Sequence, residues 1–378
     1  MTSAVPPAFD VTASGKRGCP DCGGDLEWNA SRQLLMCPYC GFIPKEQPTR
    51  GQAGGAIREH DLEEALARVD DSGRGYGTPT VKVKCQSCHA ISVFEPHRVA
   101  ERCHFCGSPA IVPYESTHDA ITPESLLPVR LSESHVRDLL RQWYASHWLA
   151  PTKLKRKALT DTLHGVYLPY WTFDSDVTAD WTAESGDYYY VTEWGMDAQG
   201  RRVQRQVRKV RWYPSRGRVR HFFDDDLVCG SRGVREDLIR AIEPFPTDEL
   251  TPYDPAFVRG WTVERYQVDL RQASVISKEQ MDSQAYQMCA RQVPGDTYRN
   301  LQMNSIHRNR TFKHILVPTW LVTYVFHGTP FQVVVNGYTG EIAGDSPKSW
   351  VKVFFFVILP ILLAAALIVW LMGQQGSF

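Results

Sequence analysis

Eight of the ten cysteines fall into four Cys-x-x-Cys knuckles, Cys19/Cys22, Cys37/Cys40, Cys85/Cys88 and Cys103/Cys106. The knuckles pair off, with 14 residues between the inner cysteines of each pair. Two short turns that bring four thiolates together make a tetrahedral zinc site, and the repeated spacing points to two Zn2+ ions as cofactors. An iron–sulfur centre and redox dithiols are the alternatives for the same residues. Zinc saturated by four sulfurs has no open position for water or substrate, so these metals read as structural. Gly23, Gly41 and Gly107 follow their knuckles directly, where positive φ helps turn backbone amides toward sulfur, while His89 holds that place in the third knuckle. His104 lies inside the fourth knuckle and is not counted as a ligand, and the isolated Cys229 and Cys289 read as buried free thiols.

A second chemistry-bearing stretch is basic and aromatic. Nine Lys and Arg residues fall from Arg201 to Arg220. Its interaction candidates are Arg201, Arg202, Arg205, Arg208, Lys209, Arg211, Trp212 and Tyr213. Such a run suits phosphates and stacked bases, anionic lipid, an acidic protein, or simply a solvated strand face. Lys plus Arg equals Asp plus Glu at 42 each, so the basic surplus of a general nucleic-acid binder is absent. The Asp224–Asp226 run offers no placeable partner for hard-metal or acid–base work. No Walker A, dinucleotide fingerprint, Gly-x-Ser-x-Gly elbow or His-Glu-x-x-His motif occurs, and no enzyme is expected.

The elements that must position these residues point to an α+β fold with a β-rich body. The chain has 378 residues with 24 prolines, 27 glycines and 11% aromatics, a mixture that favours turns and strands. The expected organisation is a flexible N-terminus over 1–18, zinc ribbon 1 over 19–41, a linker with a short helix over 42–80 and zinc ribbon 2 over 81–112. A helical connector over 113–164, the body over 165–348, a transmembrane anchor over 349–373 and a tail over 374–378 follow. Periodicity predicts helices over Ile57–Val69, Glu133–Leu149, Val234–Ile242 and Leu270–Val293. A long hairpin is expected to turn at 197–200, and the Pro-x-Trp elements at Pro169–Trp171 and Pro318–Trp320 suggest an internal duplication. Lys153, Lys155, Arg156 and Lys157 form a further basic patch.

From Phe354 to Met372 runs an uncharged apolar segment, read as one membrane-spanning helix in preference to a buried core helix. Lys348 and Lys352 precede it, so the positive-inside rule places the bulk of the protein in the cytoplasm. The N-terminus lacks the apolar stretch of a signal peptide. The eight knuckle cysteines, with Asn336, Gly337, Thr339, Gly340, Gly344, Pro347 and Ser349, resemble bacterial membrane-associated double zinc-ribbon proteins. These are loosely labelled TFIIB-type zinc-ribbon or primosomal replication-factor-like. The resemblance implies a membrane-stress setting with partners of the phage-shock or band-7 scaffold type. The expected function is then a tail-anchored, single-pass adaptor that recruits cytoplasmic or membrane-scaffold proteins at the lipid bilayer, with homo-oligomerisation open. The rival is a membrane-tethered nucleic-acid-binding or regulatory protein that uses 201–220, and an enzyme with a site hidden from sequence is the third.

Overall fold

A computed structural model describes residues 18–45, 47, 57–68, 81–94, 102–108, 110–113, 121–147, 163–196, 200, 202–326, 329–345, 352, 354–365 and 368. Strands β1 (Glu27–Asn29) and β2 (Leu34–Met36) form a hairpin, and β3 (His60–Asp61) leads into α1 (Leu62–Arg68). Then come β4 (Val81–Cys85), β5 (Ile91–Phe94), β6 (Ile111–Pro113), β7 (Ser125–Leu126) and α2 (Glu133–Ser146). The long strands β8 (Leu163–Met196) and β9 (Arg202–Cys229) are followed by α3 (Glu236–Ile242), β10 (Thr251–Pro252), α4 (Pro255–Val258) and β11 (Thr262–Arg265). The chain continues through α5 (Leu270–Gln292), the long β12 (Thr297–Phe326), β13 (Thr329–Asn336) and β14 (Ile342–Gly344).

All strands except the β1–β2 hairpin join one twelve-stranded mixed sheet organised around β8. β12 runs antiparallel to β8 on one side, from Val322↔Leu163 to Thr297↔Gly186. β9 runs antiparallel on the other, from Tyr170↔Cys229 to Met196↔Arg202. The root of β8 is apolar on both faces, and Val166 to Ser175 are all buried, as expected of a strand covered by layers on either side. Further out, Val177, Ala179, Trp181 and Ala183 stay buried while Asp176 and Thr182 are exposed, the period of two that covers only one face.

Helix α5 covers that face. Asp269 caps it by accepting from the Gln272 amide at 2.8 Å, and Met281, Ala285 and Cys289 pack in one core with Ala179, Trp181 and Val219. Helix α2 covers another stretch through Val136, Leu140 and Tyr144 against Trp320, Val322, Val333 and Val335. Each fully buried Val, Leu or Met side chain among these contributes roughly 1.5–3 kcal/mol.

The strands around the second cysteine group are woven into this sheet. β4 pairs with β5 and β6, β5 pairs with β11 through Val93↔Val263, and β11 runs parallel to β8 at Val166 and Tyr167. This corrects the expected fold class of two zinc ribbons, a β-rich α+β body and a transmembrane helix: the architecture is a large mixed-sheet domain. Val93 and Val263 are far apart in sequence, and pairing at that separation leaves no local signal.

Among the described residues no helix is long and apolar enough to cross a membrane. Phe354–Ile358 forms a wide π-type turn, and the helix continues to residue 365, a length of about 18 Å at about 1.5 Å per residue. Hydropathy registers composition, whereas spanning needs about 20 residues of apolar helix. This corrects the single-pass anchor, the lipid-bilayer partner, the cell-membrane localisation, and the membrane-anchored and membrane-tethered functions built on them. Residues 366–367 and 369–378, the patch at Lys153 to Lys157, the N-terminal 17 residues and Pro347 and Ser349 lie outside the described residues.

Candidate metal centres and the basic hairpin

The four knuckles share one backbone geometry. In each, the amide of the residue directly after the second cysteine closes the turn onto the first cysteine's carbonyl: Gly23 N to Cys19 O at 2.9 Å, Gly41 N to Cys37 O at 3.0 Å, His89 N to Cys85 O at 3.0 Å and Gly107 N to Cys103 O at 2.8 Å. The donating residue is left-handed every time, with φ of 73°, 78°, 62° and 72°. His89 therefore adopts the conformation its glycine counterparts adopt, and the departure seen in the sequence leaves the turn intact. In the second group the Ser87 and Phe105 amides point at the Cys85 and Cys103 sulfurs, each at 3.4 Å.

The turns gather the sulfurs into two groups, Cys19/Cys22/Cys37/Cys40 and Cys85/Cys88/Cys103/Cys106, with the ligand atoms of each group within 4.8 Å of one another. Cys19 and Cys40 Sγ are 3.4 Å apart, Cys22 and Cys37 3.5 Å, and Cys85–Cys106 and Cys88–Cys103 both 3.6 Å. Four sulfurs at about 2.3 Å from a tetrahedral zinc stand about 3.8 Å apart, so both groups fit the ion closely and could coordinate it. None of these eight cysteines is joined in a disulfide. Without a cation the protons are shared unevenly. The Cys88 thiol donating to Cys103 holds Cys103 down at about 5, while burial pushes Cys106 up to about 11. Backbone amides, that of Cys40 first, lower Cys37 to about 7. A dication would replace these shared protons.

Each group is anchored to the body. Leu26 and Leu35 pack with Cys19, Cys37 and Ala256 at the start of α4, Trp28 lies 4.7 Å from Phe257, and Arg259 Nη1 donates to Leu26 O at 2.8 Å. In the second group Phe105 is buried with Leu168, Ile239 and Val317, and its carbonyl accepts from Thr323 Oγ1 and Gln332 Nε2 at 2.9 and 3.0 Å. His104 turns to β11, where Nδ1 pairs with Thr262 Oγ1 at 2.8 Å while the ring stacks on His164.

The basic run forms most of β9. Arg201 lies outside the described residues, whereas Arg202, Arg205, Arg208, Lys209, Arg211 and Tyr213 are exposed and Trp212 is half-buried. Several are engaged within the ribbon: Lys209 pairs with Glu193 at 2.5 Å, Arg208 and Arg211 lie over the Tyr188 and Tyr189 rings, and Arg299 lies over Trp212. The pairing of β12 with β8 ends at Gly186, so Asp187–Met196 pairs only with Arg202–Arg211. This two-stranded arm extends roughly 33 Å at about 3.3 Å per residue.

Sequence reasoning set aside one arrangement for want of a partner and missed two others. The Asp174, Asp224 and Asp225 carboxylates converge because a register shift between Phe173 and Ser175 and the left-handed Asp225 bend the strands there. Lys313 supplies the cation, 2.7 Å from Asp225 Oδ1, and Asp174 accepts from Thr311 Oγ1 and the Asp225 amide, both at 2.7 Å. Beside α3 a cavity of about 450 Å³ is lined by Cys229, Ser231, Glu243 and Gln280 among others. Burial pushes the Cys229 thiol up to about 12, so it is a poor nucleophile. Glu264 on β11 is fully buried, and burial pushes its carboxyl up to about 8. The Asp224–Asp226 run was visible in sequence, but its partners Asp174 and Lys313 come from distant strands, and the other two arrangements have no motif of consecutive residues.

No family model matches the chain, and no solved structure matches it. A Bacillus subtilis protein described as the uncharacterized protein YdjG is 24% identical over 344 residues, which covers 89% of this chain and 91% of that protein. These findings correct the resemblance to membrane-associated double zinc-ribbon proteins: what stands is the pair of four-cysteine clusters themselves.

Proposed function

We propose that this chain is a non-catalytic adaptor whose fold is held by two Zn2+ ions and whose working surface is the projecting β8–β9 arm. One ion is held by Cys19, Cys22, Cys37 and Cys40 and the other by Cys85, Cys88, Cys103 and Cys106. The observation that carries the reading is the convergence of each set of four sulfurs to within 4.8 Å, because four thiolates saturate zinc and leave it no position for a reacting group. The metals then brace the root of the sheet. The arm is left exposed, with Tyr190, Trp194 and Met196 each more than 60% accessible.

Native mass spectrometry and elemental analysis test this. The expected result is two zinc ions per full-length chain, with Cys37→Ser and Cys103→Ser each removing one. Iron in place of zinc, or reversible disulfide formation at the knuckles under mild oxidant, would overturn the structural-zinc reading.

A further inference from the structure

We infer that the outer edge of β9 is a docking site for an acidic, extended segment of a partner protein, which joins the ribbon as an additional strand. The inference rests on the adaptor reading and names the partner's chemistry. Among the described residues β9 pairs with β8 alone, and that register is unbroken from Ser175↔Phe223 to Met196↔Arg202. Its other edge therefore presents a long row of backbone donors and acceptors.

Pro214 fixes which groups face outward. It sits opposite Glu184 inside the unbroken register and has no N–H, so its nitrogen lies on the side away from β8. In an antiparallel ladder the residues whose N–H and C=O point to one side alternate along the strand. Arg202, Gln204, Gln206, Arg208, Val210 and Trp212, which share the parity of Pro214, accordingly direct their backbone groups to the open edge.

Charge selects the occupant. From residue 201 to residue 220 there is no Asp or Glu. The acids of the ribbon sit on β8, where Asp180 pairs with Arg218 and Glu193 with Lys209, both at 2.5 Å. β8 is thus an example of the acidic strand that β9 accepts on its inner side. Among the described residues no ion pair engages Arg202, Arg205, Arg208 or Arg216, and all four are exposed.

A second copy of the chain is a poor occupant. β9 against β9 sets cations against cations, and the 297–310 stretch of β12 also carries Arg299, Arg308 and Arg310 without a carboxylate. Cations on an open edge guard against neutral and basic strands, and an acidic strand is the one they admit. Tyr190, Trp194 and Met196 lie opposite Arg208, Gln204 and Arg202, so one face offers apolar contact beside the arginines.

The test uses the full chain and a fluorescein-labelled peptide of residues 174–193, an acidic β-strand known from this fold to pair with β9. Its controls are the same peptide with Asp and Glu changed to Asn and Gln, and oligothymidylate. Fluorescence anisotropy should show salt-sensitive binding of the acidic peptide and at least about tenfold weaker binding of the neutral one. Gln206→Pro removes an outward donor without changing charge or the β8 ladder, and should weaken peptide binding about tenfold. The Arg202→Gln/Arg208→Gln double variant should weaken it comparably. No binding of the acidic peptide by a chain holding two zinc ions would overturn the docking site while leaving the zinc scaffold standing. Unchanged binding by Gln206→Pro would also overturn it, as would oligothymidylate outcompeting the peptide, which marks a surface for phosphates. Zinc content and Tm, read on the same samples, report separately on the adaptor reading.

Discussion

Replacing Glu264 with Gln should make the protein more stable at pH 8 than at pH 5 relative to the unaltered chain. The Glu264 Oε1 accepts from Gln267 Nε2 at 2.8 Å, whereas Oε2 is buried without a hydrogen-bond partner. Burial pushes the carboxyl up from an ordinary 4.5 to about 8. Below the lower value the group is protonated in both folded and unfolded chains and favours neither. As pH rises toward the higher value the unfolded chain gives up its proton and the folded chain keeps it, so stability falls. Each pH unit costs about 1.4 kcal/mol, with a ceiling of about 5 kcal/mol over the whole window. Charge on Cys103 is a minor contributor to the shift and would be drawn to bound zinc, so about 3–4 kcal/mol is expected for the zinc-loaded protein. The amide of Gln keeps the acceptor for Gln267 and does not ionise. Any cost of leaving its NH2 unpartnered is the same at both pH values. Calorimetry at pH 5 and pH 8 should show the Tm offset between variant and unaltered chain widening by about 4–5 °C at the higher pH. An offset that is equal at the two pH values would refute a neutral, buried Glu264.

Substitutions at three further positions probe the scaffold. Cys103→Ser should lower the Tm of the whole sheet domain, because β4 and β5 tie that cluster to β11 and β8; hydrogen exchange that speeds up only within 81–113 would contradict this. Gly217→Ala should destabilise by about 1–3 kcal/mol in denaturant titration, since a Cβ there would lie 2.5 Å from Trp181 Cζ2, and a neutral result would mean that Trp181 moves freely. His89→Gly should raise stability by up to about 1 kcal/mol by relieving a left-handed non-glycine residue, while His89→Val should lower it, with thermal unfolding as the readout for both.

The four-cysteine clusters were legible in the sequence because a knuckle is a local object. Five consecutive residues contain both sulfurs, the left-handed hinge and the closing hydrogen bond, so spacing alone carries the geometry. Helix α5 was legible for a similar reason, as its predicted span of 270–293 and observed Leu270–Gln292 nearly coincide. The β8–β9 hairpin also matched, since the turn signals at 197–200 fall between the two strands. The sheet that unites these parts was not legible. Val93 with Val263, and Ile315 with Ser125, are pairings between distant segments, and side-chain alternation tells each strand which face is buried without naming its neighbour. The Phe354–Met372 run misled because its composition alone suggested a spanning helix, while the helix described there is short.

The placement of charge explains why one side of the ribbon can be stable and the other available. Three long strands lie side by side, and the acids are concentrated on the central one. β8 carries Asp176, Asp180, Glu184, Asp187 and Glu193, whereas residues 201–220 of β9 and 297–310 of β12 carry none. Cross-strand pairs therefore form inward, as Arg218 does with Asp180 and Arg299 with Glu184. Exposed pairs of this kind contribute little energy individually, about 0–1 kcal/mol, but in register they oppose a one-residue slip that would exchange the faces of the strands. Had the acids been spread evenly, both outer edges would be near neutral and two copies could pair through them. Segregation fixes the register internally and leaves both edges cationic, so the ribbon resists its own kind while keeping an edge that a negatively charged strand can complete.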